Sequence, residues 1–218
     1  MEIVKQNFFP CNLNNLSMKI GEKILFENVN LQISKKPITS FFGDNGSGKT
    51  TLLKIIAGLT TPTTGTVKFN SSQSLSFDDY SFLFQKSVFL NRNVYENLYY
   101  VLHVKGFTHQ TSNDMISEYS DEYNIRPLLK RHPKSLSGGE QQIISFVRAI
   151  ITQPKIIFLD EPFLNLDKDY SMKIENNIKS LHNKQNIKII LISHDHEQIL
   201  RISNEIYEIK NETIFKKN

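Results

Sequence analysis

Three stretches of the chain are apolar at most positions, and each of them ends in glycine or in polar residues. They are PITSFFG at 37–43, KIIFLD at 155–160 and IKIILIS at 187–193. Strands that are covered on both faces carry near-continuous apolar runs of this kind. The pattern therefore predicts the strands of a parallel sheet with helices on both of its faces.

Helical periodicity separates these runs. The stretch KTTLLKIIAGL at 49–59 places its apolar residues on one face of a helix. Further helices are expected over 93–106 and 112–124, from LSGGE to about Gln153, and over about 168–183 and 196–203. The segment from about 87 to 135 therefore reads as a helical insertion.

Shorter strands are predicted nearer the two ends of the chain. Two or three surround GEK within 16–35, others flank TTPTTGTV at 60–67, and EIYEIKNETIFKK forms a closing hairpin. We expect one domain, in which a core with an N-terminal β part takes 1–86 and 136–218 and a helical part takes 87–135.

Composition and charge restrict the class of protein. The 218 residues are 39% hydrophobic and 22% charged, which is ordinary for one folded domain. The single cysteine, Cys11, cannot form an internal disulfide and fits a reducing compartment. With no long apolar run and no signal-peptide pattern, we expect a cytosolic chain that meets a membrane only through a partner. A net charge of +4 with scattered lysines gives no reason to expect nucleic-acid binding.

A glycine-rich loop lies between a predicted strand and a predicted helix. GDNGSGKTT at 43–51 fits the phosphate-loop pattern, whose amides and helix N-terminus bind an anionic phosphate chain. Lys49 is expected to reach the outer phosphates and the Thr50 hydroxyl to bind Mg²⁺. The alternative is a structural glycine turn, but the strand and the helix on either side favour a nucleoside triphosphate. The candidate binding residues are Gly43, Asp44, Asn45, Gly46, Ser47, Gly48, Lys49, Thr50 and Thr51.

Polar side chains also end other predicted strands. Asp160 is expected to hold Mg²⁺ and Glu161 to polarise a water, although the pair could instead be a surface acidic cap. His194 could hydrogen-bond the terminal phosphate or the water. The competing interpretation of His194 is a metal site with Asp195 and His196. Gln85 ends YSFLFQ and is unremarkable by itself.

LSGGE at 136–140 places two glycines where a helix is predicted to begin, although glycine disfavours a helix. With this stretch added, the order of motifs resembles the nucleotide-binding subunit of ABC transporters over nearly the whole chain. The resemblance implies an α/β fold, with a P-loop NTPase parallel-sheet core of RecA-like type, an antiparallel β subdomain and a helical insertion. It also implies an ATPase that uses ATP and Mg²⁺ to drive transmembrane transport.

The resemblance assigns roles residue by residue. Asp160 matches the metal-side acid, Glu161 the catalytic base and His194 the switch histidine. Gln85 matches the Q-loop, which senses both Mg²⁺ and the membrane partner. The remaining residues face a second subunit in a nucleotide-sandwich homodimer; they are Ser137, Gly138 and Gly139, which would contact ATP in trans, and Asp167 in LNLD.

Four positions depart from the family pattern. Ile20 stands where an aromatic residue commonly stacks on adenine, which leaves the partner of the base open. Ile143 replaces a common arginine, and Leu164 replaces a common serine. Lys36-Pro37 replaces a usual Gly-Glu turn. None of these changes removes a catalytic group, so activity is expected.

The segments 82–106 and 190–215 resemble importer subunits for tungstate, molybdate and phosphate. The alternatives are another small-solute importer, an exporter of haem, lipid or lipoprotein, and, further away, a nucleic-acid-linked ABC ATPase, a GTPase or a P-loop kinase. Permease subunits, and indirectly a solute-binding protein, are the implied partners at the cytoplasmic side of the inner membrane. Tyr95, Leu98 and Tyr99 belong either to the permease groove or to the core of the insertion.

Overall fold

The structure, a computed structural model, describes residues 8–70, 75–164 and 166–217. The chain divides into two compact units, one of residues 1–77 with 188–218 and the other of residues 78–187. In chain order the main elements are β1 (Cys11–Ile20), β2 (Lys23–Ile33), β3 (Ile38–Gly43), α1 (Lys49–Ile56), β4 (Thr64–Phe69), β5 (Tyr80–Leu83), α2 (Val94–Val104), α3 (His109–Glu122), α4 (Gly138–Ile150), β6 (Ile156–Asp160), α5 (Lys168–Gln185), β7 (Lys188–Ile192), α6 (His196–Ile202), β8 (Glu205–Lys210) and β9 (Thr213–Lys217).

The first unit contains an antiparallel sheet of three strands in the order β2-β1-β4. Two long strands replace the two or three short ones that were predicted within 16–35. Cys11, Leu13 and Leu16 are all buried, but the pairing register shifts between Leu13 and Leu16. The extra residue at this irregularity breaks the alternation of period two, which is why the sequence pattern did not show where β1 begins.

The parallel strands of the first unit are built around β3. This strand pairs in parallel with β7 on one side and with β8 on the other, and β8 forms an antiparallel hairpin with β9. All five residues of β7 are buried, as the continuous apolar run predicted. Phe41 of β3 stacks on Tyr207 of β8 with ring centroids 5.1 Å apart. Helix α1 ends at Ile56, earlier than predicted, because Gly58 follows with φ +74°.

The second unit combines a parallel pair of strands, β5 and β6, with helices α2 to α5. Asn93 and Glu96 form a capping box at the start of α2. The buried Asn97 accepts a hydrogen bond from Leu90 N and donates to Arg92 O, so it fixes the loop before the helix. The predicted helical insertion, 87–135, lies within this unit.

The α/β fold class is confirmed, with parallel strands, a separate antiparallel sheet, and two helices between β5 and α4. Across the described ranges, none of the helices combines the length and the apolar character that crossing a bilayer demands.

Candidate functional site

The phosphate loop joins β3 to α1 and curls around the ammonium group of Lys49. The Lys49 side chain is buried, and its Nζ donates to Gly43 O at 2.7 Å and to Asp44 O at 3.1 Å. Ser47 N donates to Asp44 O at 3.1 Å and closes the turn. Gly48 has φ +95°, a conformation that side-chain-bearing residues rarely adopt. The loop therefore presents a cation beside the first turn of α1.

Three observations in the loop fit a phosphate chain. The buried Ser47 Oγ has no hydrogen-bond partner among the described residues, so it has an unused donor. Gly48, the N-cap of α1, brings no side chain over the helix amides, and the first turn contains no acidic residue. A Cβ at Gly48 would lie 3.1 Å from Leu25 Cβ, so a side chain there would crowd Leu25 as well as strain the backbone. The amides and the positive end of the helix dipole suit an anion.

Lys23 is a contact of the phosphate loop that the sequence analysis missed. Its Nζ donates to Gly46 O at 3.0 Å from the first position of β2. Ile20 pairs with Lys23 across the hairpin and is 55% exposed, so an apolar surface adjoins this second cation. The only signal in the sequence was GEK, which marks a turn and does not indicate what the turn touches.

The predicted acid pair lies at the end of β6 in the second unit. Asp160 is 1% exposed and Glu161 is 6% exposed. Glu161 has φ +50°, which is strained for a residue with a long side chain. Backbone strain of this kind concentrates at functional sites, and the Glu161 carbonyl accepts from Leu164 N at 3.2 Å. Glutamate at this position is therefore held in a defined and costly conformation.

LSGGE begins α4 through a side-chain cap. Ser137 Oγ accepts from Glu140 N at 3.2 Å, and Ser137 N donates to Glu140 Oε2 at 2.7 Å. This capping box supplies the N-terminal cap by itself, so the two glycines are not needed to begin the helix. The Ser137 hydroxyl retains its proton as a donor, and the glycines leave the first-turn amides uncovered by side chains. A Cβ at Gly139 would lie 3.6 Å from Leu166 Cδ2.

The remaining predicted residues follow strands or begin helices. His194 follows β7 and is exposed, and Gln85 follows β5 and is exposed. Asp195 Oδ1 caps α6 by accepting from Gln198 N at 3.0 Å. In the described part of the chain, no three or more histidine, cysteine or carboxylate groups converge as a metal site.

Asp167 is the N-cap of α5, and its Oδ1 accepts from Tyr170 N at 2.9 Å. It lies in the LNLD stretch, whose Asn165 falls outside the described residues. The first unit thus holds the phosphate loop and His194. The second unit holds the other predicted residues, which are Gln85, Ser137, Gly138, Gly139, Asp160, Glu161 and Asp167.

A groove in the second unit runs between the end of β5, α2 and α4. Its cavity of about 210 Å³ is lined in part by exposed apolar side chains, which are Phe84, Val88, Tyr100 and Val104. The three residues predicted for a groove or for the core are divided by the structure. Leu98 is fully buried and belongs to the core, whereas Tyr95 and Tyr99 line a separate cleft with His103 and His109.

Comparison with known proteins adds a family and two kinds of relative. A sequence profile described as ABC transporter matches residues 26–164. The chain is 34% identical to the sulfate/thiosulfate import ATP-binding protein CysA of Mesostigma viride, and the match covers 89% of this chain but 57% of that protein. It is 33% identical to the lipoprotein-releasing system ATP-binding protein LolD of Buchnera aphidicola subsp. Acyrthosiphon pisum, covering 94% of this chain and 95% of that protein. The chain therefore spans less than three fifths of the import relative.

Solved structures share the fold. The dimeric structure of MJ0796, a bacterial ABC transporter cassette, has a TM-score of 0.82 and 26% identity, and the match covers 95% of this chain and 98% of that one. A second structure of MJ0796, in a post-hydrolysis state bound to ADP and Pi, has a TM-score of 0.82 and 28% identity. The predicted cassette architecture is confirmed by this similarity.

Proposed function

The chain belongs to the ABC transporter family, and from that premise we propose that it is the ATP-hydrolysing subunit of a membrane transporter. The observation that carries the proposal is the phosphate loop, which combines Lys49, a first turn of α1 without a side-chain cap, and a Ser47 hydroxyl with no partner among the described residues. A chain of phosphates satisfies all three groups at once, and an uncharged ligand does not.

The residues divide the work of hydrolysis. Lys49 and the loop amides bind the phosphates of ATP, and the buried Glu161 accepts a proton from the attacking water. His194 hydrogen-bonds the terminal phosphate or that water. Thr50, Gln85 and Asp160 offer the oxygen ligands that Mg²⁺ prefers, and the ion when bound neutralises charge on the phosphates. No covalent intermediate with the protein is needed, because positioning and electrostatics carry this reaction.

The start of α4 supports a role across a homodimer. We propose that Ser137, Gly138 and Gly139 of one subunit bind the terminal phosphate held by another, with Asp167 beside the same interface. The support is that the capping box closes this helix without the glycine amides. MJ0796, which shares the fold, is itself described as dimeric.

The groove supports a membrane partner. Val88 and Val104 are 68% and 63% exposed, which is unusual for clustered apolar side chains and typical of a docking surface. We propose that a cytoplasmic segment of a permease binds there, so that the chain is peripheral at the cytoplasmic side of the inner membrane.

For the solute, we propose import of an inorganic oxyanion, of the tungstate, molybdate, phosphate or sulfate type. The support is the resemblance of 82–106 to importer subunits and the 34% identity to a sulfate/thiosulfate import protein. A second candidate is the release of lipoproteins from a membrane, which is favoured by the match over 95% of the lipoprotein-releasing relative.

Co-purification separates these functions. The tagged chain is isolated from membranes in mild detergent, and its partners are identified by mass spectrometry. The expected result is a permease partner. Vesicles that contain this permease and the chain should accumulate an oxyanion when ATP and a solute-binding protein are supplied. A permease that works without a binding protein indicates the second candidate, and the absence of any membrane partner contradicts both. ATP turnover of the purified chain is measured alongside.

A further inference from the structure

A chain of side-chain hydrogen bonds crosses the second unit through the middle of α4. Ser145 Oγ donates to Ser87 Oγ at 2.9 Å, and Ser87 Oγ donates to Gln142 Oε1 at 3.4 Å. The Gln142 Nε2 then donates to Pro162 O at 3.0 Å and lies 3.5 Å from Glu161 O. Gln142 and Ser145 are each 4% exposed, so the middle of this hydrogen-bond chain is shielded from water.

One end of this hydrogen-bond chain contacts the backbone of the turn that contains Glu161. The backbone of Glu161 has φ +50°, so the turn is strained and needs support from its surroundings. The side-chain amide of Gln142 donates hydrogen bonds to the carbonyl oxygens of Glu161 and Pro162. Because the direction of the Glu161 side chain follows from the backbone of this turn, a change at Gln142 changes where the carboxylate points.

The other end of the chain lies in the groove. Ser87 and Ser145 both line the cavity, next to the exposed Val88. Arg148 of α4 fixes the same segment, because its Nη1 donates to Val88 O at 2.6 Å and its guanidinium lies 4.9 Å from the ring centroid of Phe89. A partner that enters the groove therefore contacts the first hydroxyls of the chain.

We propose that Gln142 is a positioning residue for ATP hydrolysis, which sets the orientation of the Glu161 carboxylate and couples it to occupation of the groove through Ser87. The inference rests on the proposed function, since it requires Glu161 to act on the attacking water. It assigns to the middle of α4 a role separate from that of its N-terminus.

The test is a double-mutant cycle in the full chain. Gln142→Met keeps the length of the side chain but removes its three polar contacts, with Ser87, Glu161 and Pro162, so kcat is expected to fall by about 10- to 100-fold. The Kd for ATP, measured by calorimetry, should stay within about twofold, because the role proposed for Gln142 concerns the hydrolysis step and not the binding of the phosphates. In the Glu161→Gln background the same change should alter the residual turnover by less than about twofold. Turnover is expressed per ATP-binding chain, which removes the contribution of unfolded protein.

Gln141→Met is the matched control, because Gln141 Nε2 donates to Leu136 O at 3.1 Å and lies outside the hydrogen-bond chain. Gln142→Asn is the second variant if methionine prevents folding, and it should lower kcat in the same way. An unchanged kcat, or an equal loss in both backgrounds, overturns the role of Gln142. Full turnover in Glu161→Gln alone would contradict the role of Glu161, and a wild-type chain without ATP turnover would contradict the proposed function, so these failures are distinguishable.

Discussion

At the scale of single residues, two lysines place positive charge on the phosphate loop from different elements. Lys49 begins α1 and donates to Gly43 O, and Lys23 begins β2 and donates to Gly46 O. Lys49 is buried and Lys23 is exposed, so the two lysines are expected to contribute unequally to the affinity for an anion. A charge in a dry surrounding attracts a phosphate more strongly than a charge in water does.

Replacing Lys49 should therefore weaken ATP binding far more than replacing Lys23. We expect Lys49→Ala to raise the Kd for ATP by about 100-fold or more, and Lys23→Ala by about threefold to tenfold. Isothermal titration calorimetry measures both. Lys54→Ala, on the same helix but in its last turn, serves as the control. Wild-type affinity in Lys49→Ala would remove the phosphate-loop assignment.

Lys188, a second buried lysine, is expected to make the free energy of unfolding depend on pH. Lys188 Nζ donates to Ser34 O at 3.1 Å and to Thr39 Oγ1 at 2.7 Å. Burial lowers the pKa of Lys188 from 10.5 to about 8, against the opposing charge of Glu205. Between these two pH values the unfolded chain binds more protons than the folded one, so this residue's contribution to stability rises with pH.

Urea unfolding of Lys188→Met and of the wild type checks this effect. From pH 7 to pH 10 the wild type should gain roughly 2 kcal/mol in free energy of unfolding relative to the variant. Taking the difference between the two proteins cancels the other titrating groups. A constant difference across this range would show that burial does not shift the pKa of Lys188.

At the scale of elements, α4 carries or contacts several of the predicted functional residues. Its first turn carries the capping box of Ser137 and Glu140, its middle carries Gln142, and Arg148 near its end binds the backbone of Val88. The capping box lies within α4 itself, whereas Gln142 and Arg148 contact two other segments of the second unit, the turn of Glu161 and the segment of Val88.

Substitution at the start of α4 should separate capping from dimer formation. In the Glu161→Gln background, Ser137→Arg is expected to lose about 1 kcal/mol of stability with its cap and to abolish ATP-driven dimers. Glu140→Ala breaks the same capping box without adding bulk, and it should still dimerise. Gel filtration with and without ATP distinguishes them. Normal dimers of Ser137→Arg would exclude a contact in trans.

At the scale of the whole molecule, several exposed apolar side chains line one groove of the second unit. Phe84, Val88, Tyr100 and Val104 are each at least 44% exposed there. Exposed apolar side chains that occur singly need no explanation, whereas a cluster that lines a concave surface indicates a partner.

A charge in the groove should therefore abolish permease binding and leave ATP binding intact. Val88→Asp or Val104→Asp is expected to reduce the co-purified permease by about tenfold or more, because burying an unpaired carboxylate is costly. Leu200→Asp is the control, since Leu200 is a comparably exposed apolar residue of the first unit. Equal recovery of the permease with all three variants would place its binding site elsewhere.

What the sequence determined by itself was local in character. Apolar runs predicted β3, β6 and β7 to within one or two residues, and the glycine pattern predicted the loop before α1. Such features depend on the conformations open to a few adjacent residues, so a short stretch of sequence contains all that is needed. The order of these stretches was enough to indicate the family.

Tertiary structure alone decided which distant residues meet. Lys23 hydrogen-bonds to Gly46, Gln142 to the turn of Glu161, and Ser145 to Ser87. These pairs depend on strand register and helix packing, which are set by the collective fit of many side chains and not by any local period. That is the physical reason why the sequence predicted which groups bind phosphate but not the contacts that hold these groups in place.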